Sequence, residues 1–413
     1  MKRLAAVKMS PRPGAACSAA KATLGVEPDL KRAERILLEL LAIPGKSCQE
    51  QRVAEYITDQ LLRAGVPRNA IRCDAAHRRS LHGGEQGNLV CRMPGTTAGP
   101  RRMLSAHMDT VPLCAGARPV VRGSLIAPAE KTTALGADDR AGTAAILTAA
   151  LEILERRLPH PPLVFVWTVQ EELGLFGARH ANLGLLGKPK LAFNFDGGSP
   201  EHVTIGATGG YRMQIRIHGI PSHAGVAPDQ GVIAIAIASL AVAQLHREGW
   251  HGQVNKSGRS GTSNVGVIHG GEATNVVTPE VEVHAEARSH DPAFRRRIVS
   301  AIQRAFAQAV RTIKNTAGQH GSVEFHGRLD YEAFRLDASE PCVAAAISAV
   351  RSVGGEPTLA ISNGGLDANW FTARGIPTVT MGAGVTHAHT TEERLDRAQF
   401  RQACRLALHV ATM

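Results

Sequence analysis

The sequence predicts an α/β sheet covered by helices on both faces and split by a smaller α+β insert. Three observations carry this expectation. Continuous apolar runs of strand length alternate with segments of helical period, the pattern of strands buried on both faces. Near residue 210 the pattern changes to strands that alternate polar and apolar residues. After about residue 328 the helix and strand pattern of the first part returns, so the larger sheet is divided by the insert. At about 150 residues per domain, 413 residues make two to three domains.

In chain order, apolar residues recur at helical spacing over residues 29–42 and 49–64 (Val53, Tyr56, Ile57, Leu61), with Gly65 as a stop. Short strands are expected over 88–93 and 103–106, then a Gly/Pro-rich stretch to about residue 135. A helix over 141–154 and strands over 163–169 and 191–195 complete the first part. The insert reads as strands over 211–218, 262–268 and 280–288, with helices near 233–244 and 293–313. A helix near 342–353, a strand over 378–381 and a last helix over 397–410 follow. The domain division is therefore 28–208 with 328–413, interrupted by 209–327, with hinges near ATGG (207–210) and 327.

The 47 Lys+Arg against 36 Asp+Glu leave a formal charge of +11. Part of the excess lies in the first 22 residues and in short Arg clusters, with few aromatics interleaved to stack on bases. A solvated basic surface is expected, and no nucleic-acid partner. No apolar run approaches the roughly 20 residues that span a bilayer, so no membrane partner is expected either. Seven scattered cysteines without CxxC spacing fit a reducing compartment, and a cytoplasmic location is expected. Residues 1–27 read as a disordered extension, since Lys8, Pro11, Arg12 and Pro13 interrupt any targeting h-region.

Five clusters of metal-competent side chains fall in loops, four of them directly after strand-like runs: His107-Met-Asp109, Asp138-Asp139, Glu171-Glu172, Asp196 and His387-Ala-His389. Ligands collect at the carboxyl ends of strands in open α/β sheets, so distant residues converge there. Asp109 is placed to hold the second ring nitrogen of His107, although by itself His107 is as readily a surface or core histidine. Asp138 and Asp139 open a helix, where an N-cap is the simpler role. Adjacent Glu171 and Glu172 at the end of a buried strand are costly unless a cation or proton offsets them. Asp196 precedes two glycines and fits an Asx turn, and HAHTTEE fits a polar loop. Together the five clusters supply enough O and N ligands for two zinc-like ions with a bridging carboxylate.

AHMDTVP (106–112), GADDRAG (136–142), QEELG (170–174), NFDGG (194–198) and HTTEE (389–393), in that order, resemble the co-catalytic zinc peptidases of clan MH, family M20. GIPSHAGVAPDQGVIAI (219–235) and GGEATNVVTPEVEVHAEARS (270–289) resemble that family's lid and dimerisation domain. The resemblance covers roughly residues 30–413 and is greatest to the peptidase T-like branch of tripeptide aminopeptidases. It implies a mixed-sheet catalytic domain and a lid. It also implies two Zn²⁺, with Co²⁺ or Mn²⁺ as replacements. His107 and Asp196 are implied to bind one metal and Glu172 and His389 the other, His389 being preferred to His387 because Glu393 lies four residues on. Asp138 is implied to bridge them, with a cis peptide after it, and Glu171 to act as general base, with Asp109 in support. His223, Asn275 and Arg288 are implied to contact substrate, and the lid to form a homodimer. Asp at position 196 tilts the expectation toward peptides with a free N-terminus. An amidohydrolase or carboxypeptidase acting on N-acyl amino acids is the alternative within enzymes, and a metal-binding scaffold without turnover is the alternative outside them.

Overall fold

The computed structural model describes residues 26–413, so the expected extension over 1–27 lies outside the described residues apart from its last two. The first part of the chain forms α1 (Leu30–Ala42), α2 (Gln51–Arg63), β1 (Ile71–Cys73), β2 (Leu89–Met93), β3 (Arg102–His107), β4 (Pro119–Arg122), β5 (Leu125–Pro128), α3 (Ala137–Glu155), β6 (Leu163–Thr168), α4 (Phe176–His180), α5 (Leu183–Leu186), β7 (Leu191–Phe195) and β8 (His202–Ala207). Next come β9 (Gly209–His218), α6 (Ala234–Arg247), β10 (Gly252–Lys256), β11 (Arg259–Gly270), β12 (Glu280–Ser289), α7 (Pro292–Thr312) and β13 (Ser322–Tyr331). The chain closes with β14 (Phe334–Arg335), α8 (Pro341–Ser352), β15 (Thr358–Ser362), α9 (Asp367–Ala373), β16 (Thr378–Met381), β17 (Val385–Thr386), β18 (Arg394–Asp396) and α10 (Arg397–Thr412).

Local chemistry sets the ends of these elements. Asp29 caps α1 by accepting from the N–H groups of Lys31 and Arg32, and the helix buries Ala33, Ile36, Leu37, Leu40 and Leu41. Gly65 follows α2 at φ 93, the left-handed stop its position predicts. Helix α3 is apolar nearly all round and accordingly buried along most of its length.

The large sheet is mixed, in the order β1-β2-β6-β3-β7-β16-β8-β14, with β15 also paired to β8. Its centre, β6-β3-β7-β16, is parallel throughout. Side chains alternate between two apolar layers. Leu163, Phe165 and Trp167 of β6 join the core under α1, α3, α8 and α10. Val164 and Val166 point the other way, onto Ala178, Leu186 and Phe371 beside α4, α5 and α9. Helices therefore cover both faces.

Residues 209–331 hold a second, antiparallel sheet, β10-β11-β12-β9-β13, with α6 and α7 packed on one face around Ile215, Val283, Ile298 and Phe306. A third sheet, β17-β18-β5-β4, lies in part within the stretch that reads as Gly/Pro-rich loop. Its strands are too short to leave an alternation that a sequence window can register. Among the described residues no helix is long and apolar enough to cross a membrane.

Candidate metal centre

Because β6, β3, β7 and β16 run parallel, their carboxyl ends open on one edge of the sheet. That edge receives Glu171 and Glu172 after β6, His107 and Asp109 from β3, Asp196 after β7, and the 382–389 loop after β16. Asp138 arrives from the start of α3, where Asp138 and Asp139 leave helical geometry and the peptide between them is cis.

Two groups of ligand-type atoms lie within 4.8 Å of one another: His107, Asp138 and Asp196 form one, and Asp138, Glu172 and His389 the other. Asp138 belongs to both. One of its oxygens lies 3.3 Å from His107 Nε2 and the other 3.6 Å from His389 Nε2. His389 Nε2 is also 2.7 Å from Glu172 Oε1. His387, by contrast, belongs to neither group. Asp139 takes the capping role instead, accepting from the His107 and Gly142 N–H groups.

Electrostatics strain this cluster. Burial and the Asp138 charge push Asp196 up to about 8. Burial, with Glu172 and Asp196 alongside, raises Glu171 well above the usual carboxylate range. Burial alone would lower His107, but the carboxylates of Asp109 and Asp138 raise it well above its ordinary value. So many carboxylates in one buried crevice stay ionised only beside positive charge. The donor set of imidazole and carboxylate, without thiolate, suits divalent cations of the zinc type.

The supporting groups are as informative as the ligand set. Asp109 is fully buried; its Oδ1 accepts from the Glu171 N–H at 3.0 Å, and its Oδ2 from the Glu172 N–H at 3.2 Å and the Ser47 hydroxyl at 2.6 Å. It also lies 3.4 Å from His107 Nδ1, the position of an orienting carboxylate. The substrate-contact candidates sit elsewhere. His223 bridges to Val276, and the Ala224 N–H donates to the Asn275 carbonyl, so those two exposed loops meet. Arg288, on β12, has Nε and Nη2 engaged by the two oxygens of Glu286.

The model of peptidase family M20/M25/M40 matches residues 103–413. The chain belongs to this family. It is 31% identical over 366 residues to the uncharacterised protein YqjE of Bacillus subtilis (strain 168), covering 88% of this chain and 93% of that one. Among solved structures it is similar to a tripeptidase of Staphylococcus aureus subsp. aureus Mu50, at 31% identity and TM-score 0.82 over 94% of this chain and 99% of the other. The aminopeptidase PepT of Bacillus cereus ATCC 10987 matches at 29% identity and TM-score 0.79 over 93% and 98% of the two chains.

Two residues of this M20 peptidase that sequence reasoning did not assign to the site support it directly. Glu393 accepts from the N–H groups of Leu135, Gly136 and Asp138, fixing the backbone that presents Asp138. Its four-residue spacing from His389 is the only sequence signal of that role. Glu50 is fully buried, and its Oε1 accepts from the N–H groups of Cys48 and of Gln170, which sits at φ 54. With Asp109, it gives three successive amides, at 170, 171 and 172, carboxylate acceptors from distant segments. Glu50→Ala is expected to lower unfolding free energy by roughly 2–4 kcal/mol, because orphaning a buried N–H costs about 1–3 kcal/mol. Glu50→Gln keeps an acceptor oxygen and should recover most of that loss in a denaturant titration.

Proposed function

We propose that this M20 peptidase is a metal-dependent exopeptidase that removes the N-terminal residue from short peptides, in the manner of a tripeptide aminopeptidase. The observation that carries the reading is Asp138, shared by two metal-competent groups with Glu171 buried beside them. The residues fit a pair of zinc ions: His107 and Asp196 would hold one, Glu172 and His389 the other, and Asp138 both. Bound there, the pair supplies Lewis acidity and neutralises the clustered carboxylates.

The chain's own residues do the rest. Glu171, its backbone fixed through Asp109, takes a proton from the attacking water on its carboxylate and delivers it to the leaving amine nitrogen. Asp109 orients the His107 ring through Nδ1 so that Nε2 faces Asp138. His223, Asn275 and Arg288 are proposed to meet the substrate from the lid, whose last strand runs through the expected boundary at 327 to Tyr331. Asp rather than Glu at position 196 supports a substrate with a free amino terminus, as does the similarity to the Staphylococcus aureus tripeptidase and the Bacillus cereus aminopeptidase.

The test is mass-spectrometric product analysis of the zinc-loaded protein on tripeptides, dipeptides and N-acetylated amino acids. Release of the N-terminal residue from tripeptides supports the reading. Release of acetate with free peptides untouched replaces it with an amidohydrolase.

The proposed homodimer through the lid has a physical basis in β11. Strand β10 pairs only with residues 259–263 of β11, so residues 264–270 form an open edge carrying half-exposed Val267 and Ile268. Sedimentation of the wild type is expected to give twice the mass of the chain, and Ile268→Lys to give the chain mass. A wild-type monomer at working concentration overturns the dimer. Cytoplasmic action is proposed with it, in keeping with six described cysteines that pair with no other.

A further inference from the structure

Where the base of the smaller sheet meets the turn after β6, guanidinium groups outnumber carboxylates. On the sheet face turned away from α6 and α7, β12, β9 and β13 place Glu286, Arg212 and Arg328 side by side in register. Asp330 is almost fully buried and engages both arginines, with Arg212 Nε 2.7 Å from Oδ2 and Arg328 Nε 2.9 Å from Oδ1. One carboxylate thus faces two guanidinium groups. A third, Arg179, donates to the Leu329 carbonyl and stacks on Trp370, whose indole N–H donates to the Asp330 carbonyl. The cluster carries a net positive charge.

This cluster abuts the turn that bears the proposed base. The Gly174 N–H donates to the Glu171 carbonyl, and a side chain at position 174 would begin 3.8 Å from the Asp330 carboxyl carbon. Arg328 lies 5.4 Å over the Phe176 ring at the start of α4, just after that turn, and His82 packs edge-on against the same ring. Nε of each arginine serves Asp330, which leaves the Nη groups of both for a second acceptor, and Arg212 is 44% exposed. Arg288, one register step away, already has its guanidinium on Glu286.

The geometry points to the Arg212–Asp330–Arg328 cluster as a carboxylate-binding subsite at the mouth of the metal centre, selecting short peptides by a carboxylate downstream of the scissile bond. This rests on the peptidase reading. Asp330 aligns the two guanidinium groups, and the excess charge attracts the anion. A planar carboxylate is the partner for which arginine offers two parallel N–H donors. With the scissile carbonyl at the metal centre, such a clamp sets peptide length when it takes the C-terminal carboxylate, and residue preference when it takes an acidic side chain.

The experiment compares three substrates on the zinc-loaded full-length protein: a neutral tripeptide, its C-terminal amide, and a tripeptide amide with Asp at the third position. Wild type, Arg212→Ala, Arg212→Lys and Arg328→Ala are measured, with melting temperature as the folding control. The expected result is that wild type prefers the free acid to the amide by about tenfold or more in kcat/KM, mainly through KM. Arg212→Ala is expected to collapse that ratio toward one, and Arg212→Lys to restore part of it. If instead the preference for the Asp-bearing amide over the plain amide collapses, the clamp stands and its ligand is a side-chain carboxylate. Ratios that stay at the wild-type value in Arg212→Ala and Arg328→Ala overturn the clamp. Absence of turnover by wild type on all three peptides overturns the peptidase reading and the clamp with it.

Discussion

Replacing Glu171 by Gln is expected to reduce kcat by roughly 10²–10⁴-fold, the usual weight of a positioned general base, while bound metal and melting temperature stay near those of the wild type. The reason lies in how the residue is held. Its backbone N–H is fixed by Asp109 and its carbonyl accepts from Gly174 and Leu175, so the amide variant occupies the same place without a proton acceptor. Its side chain is also outside both metal-competent groups, which separates proton transfer from metal retention. Metal analysis beside steady-state kinetics checks both halves. Turnover near the wild-type level would remove Glu171 from the base role, and loss of metal would move it into the ligand set.

Asp138→Ala is expected to do the opposite, removing metal and activity together. Asp138 alone belongs to both groups, and without it each retains two residues. Stability should respond as well. A ligand at a thousand times its dissociation constant stabilises the folded state by about 4 kcal/mol, so added zinc should raise the wild-type melting temperature and leave the variant nearly unmoved. Full metal occupancy in Asp138→Ala would end the bridging assignment. Asp138→Asn, which keeps the shape and loses the charge, should retain metal only weakly, because the negative charge is what the cations compensate.

Much of this architecture is legible in the sequence because its signals are local. The apolar runs that become β3, β6 and β7 end in a ligand-type residue or lead into one within three positions, so strand and site announce each other. The Asp138-Asp139 pair at a helix start gives up its meaning only partly. Asp139 is the cap and Asp138 the shared group, a division set by a backbone that leaves helical geometry there. What stays hidden depends on distant partners. Glu50 lies 120 residues from the amide it holds, inside a segment that reads as the start of an ordinary helix. Strand β5, hairpinned with β4, finds its other partner β18 some 270 residues on, and none of the three exceeds four residues. Arg212 and Arg328 are unremarkable in sequence, since their significance is that Asp330 lies between them.

The order of strands in the large sheet bears on how the chain is made. Strand β16, from the last 36 residues of the chain, sits between β7 and β8, both of which precede the smaller sheet. All five strands of the smaller sheet, by contrast, come from the continuous stretch 209–331. On a ribosome the inner module can therefore close while the outer one still has a gap at its centre. A nascent chain stalled before Thr378 should carry a protease-resistant fragment spanning residues 209–331 beside an outer layer that is readily cleaved, and release of the full chain should protect both.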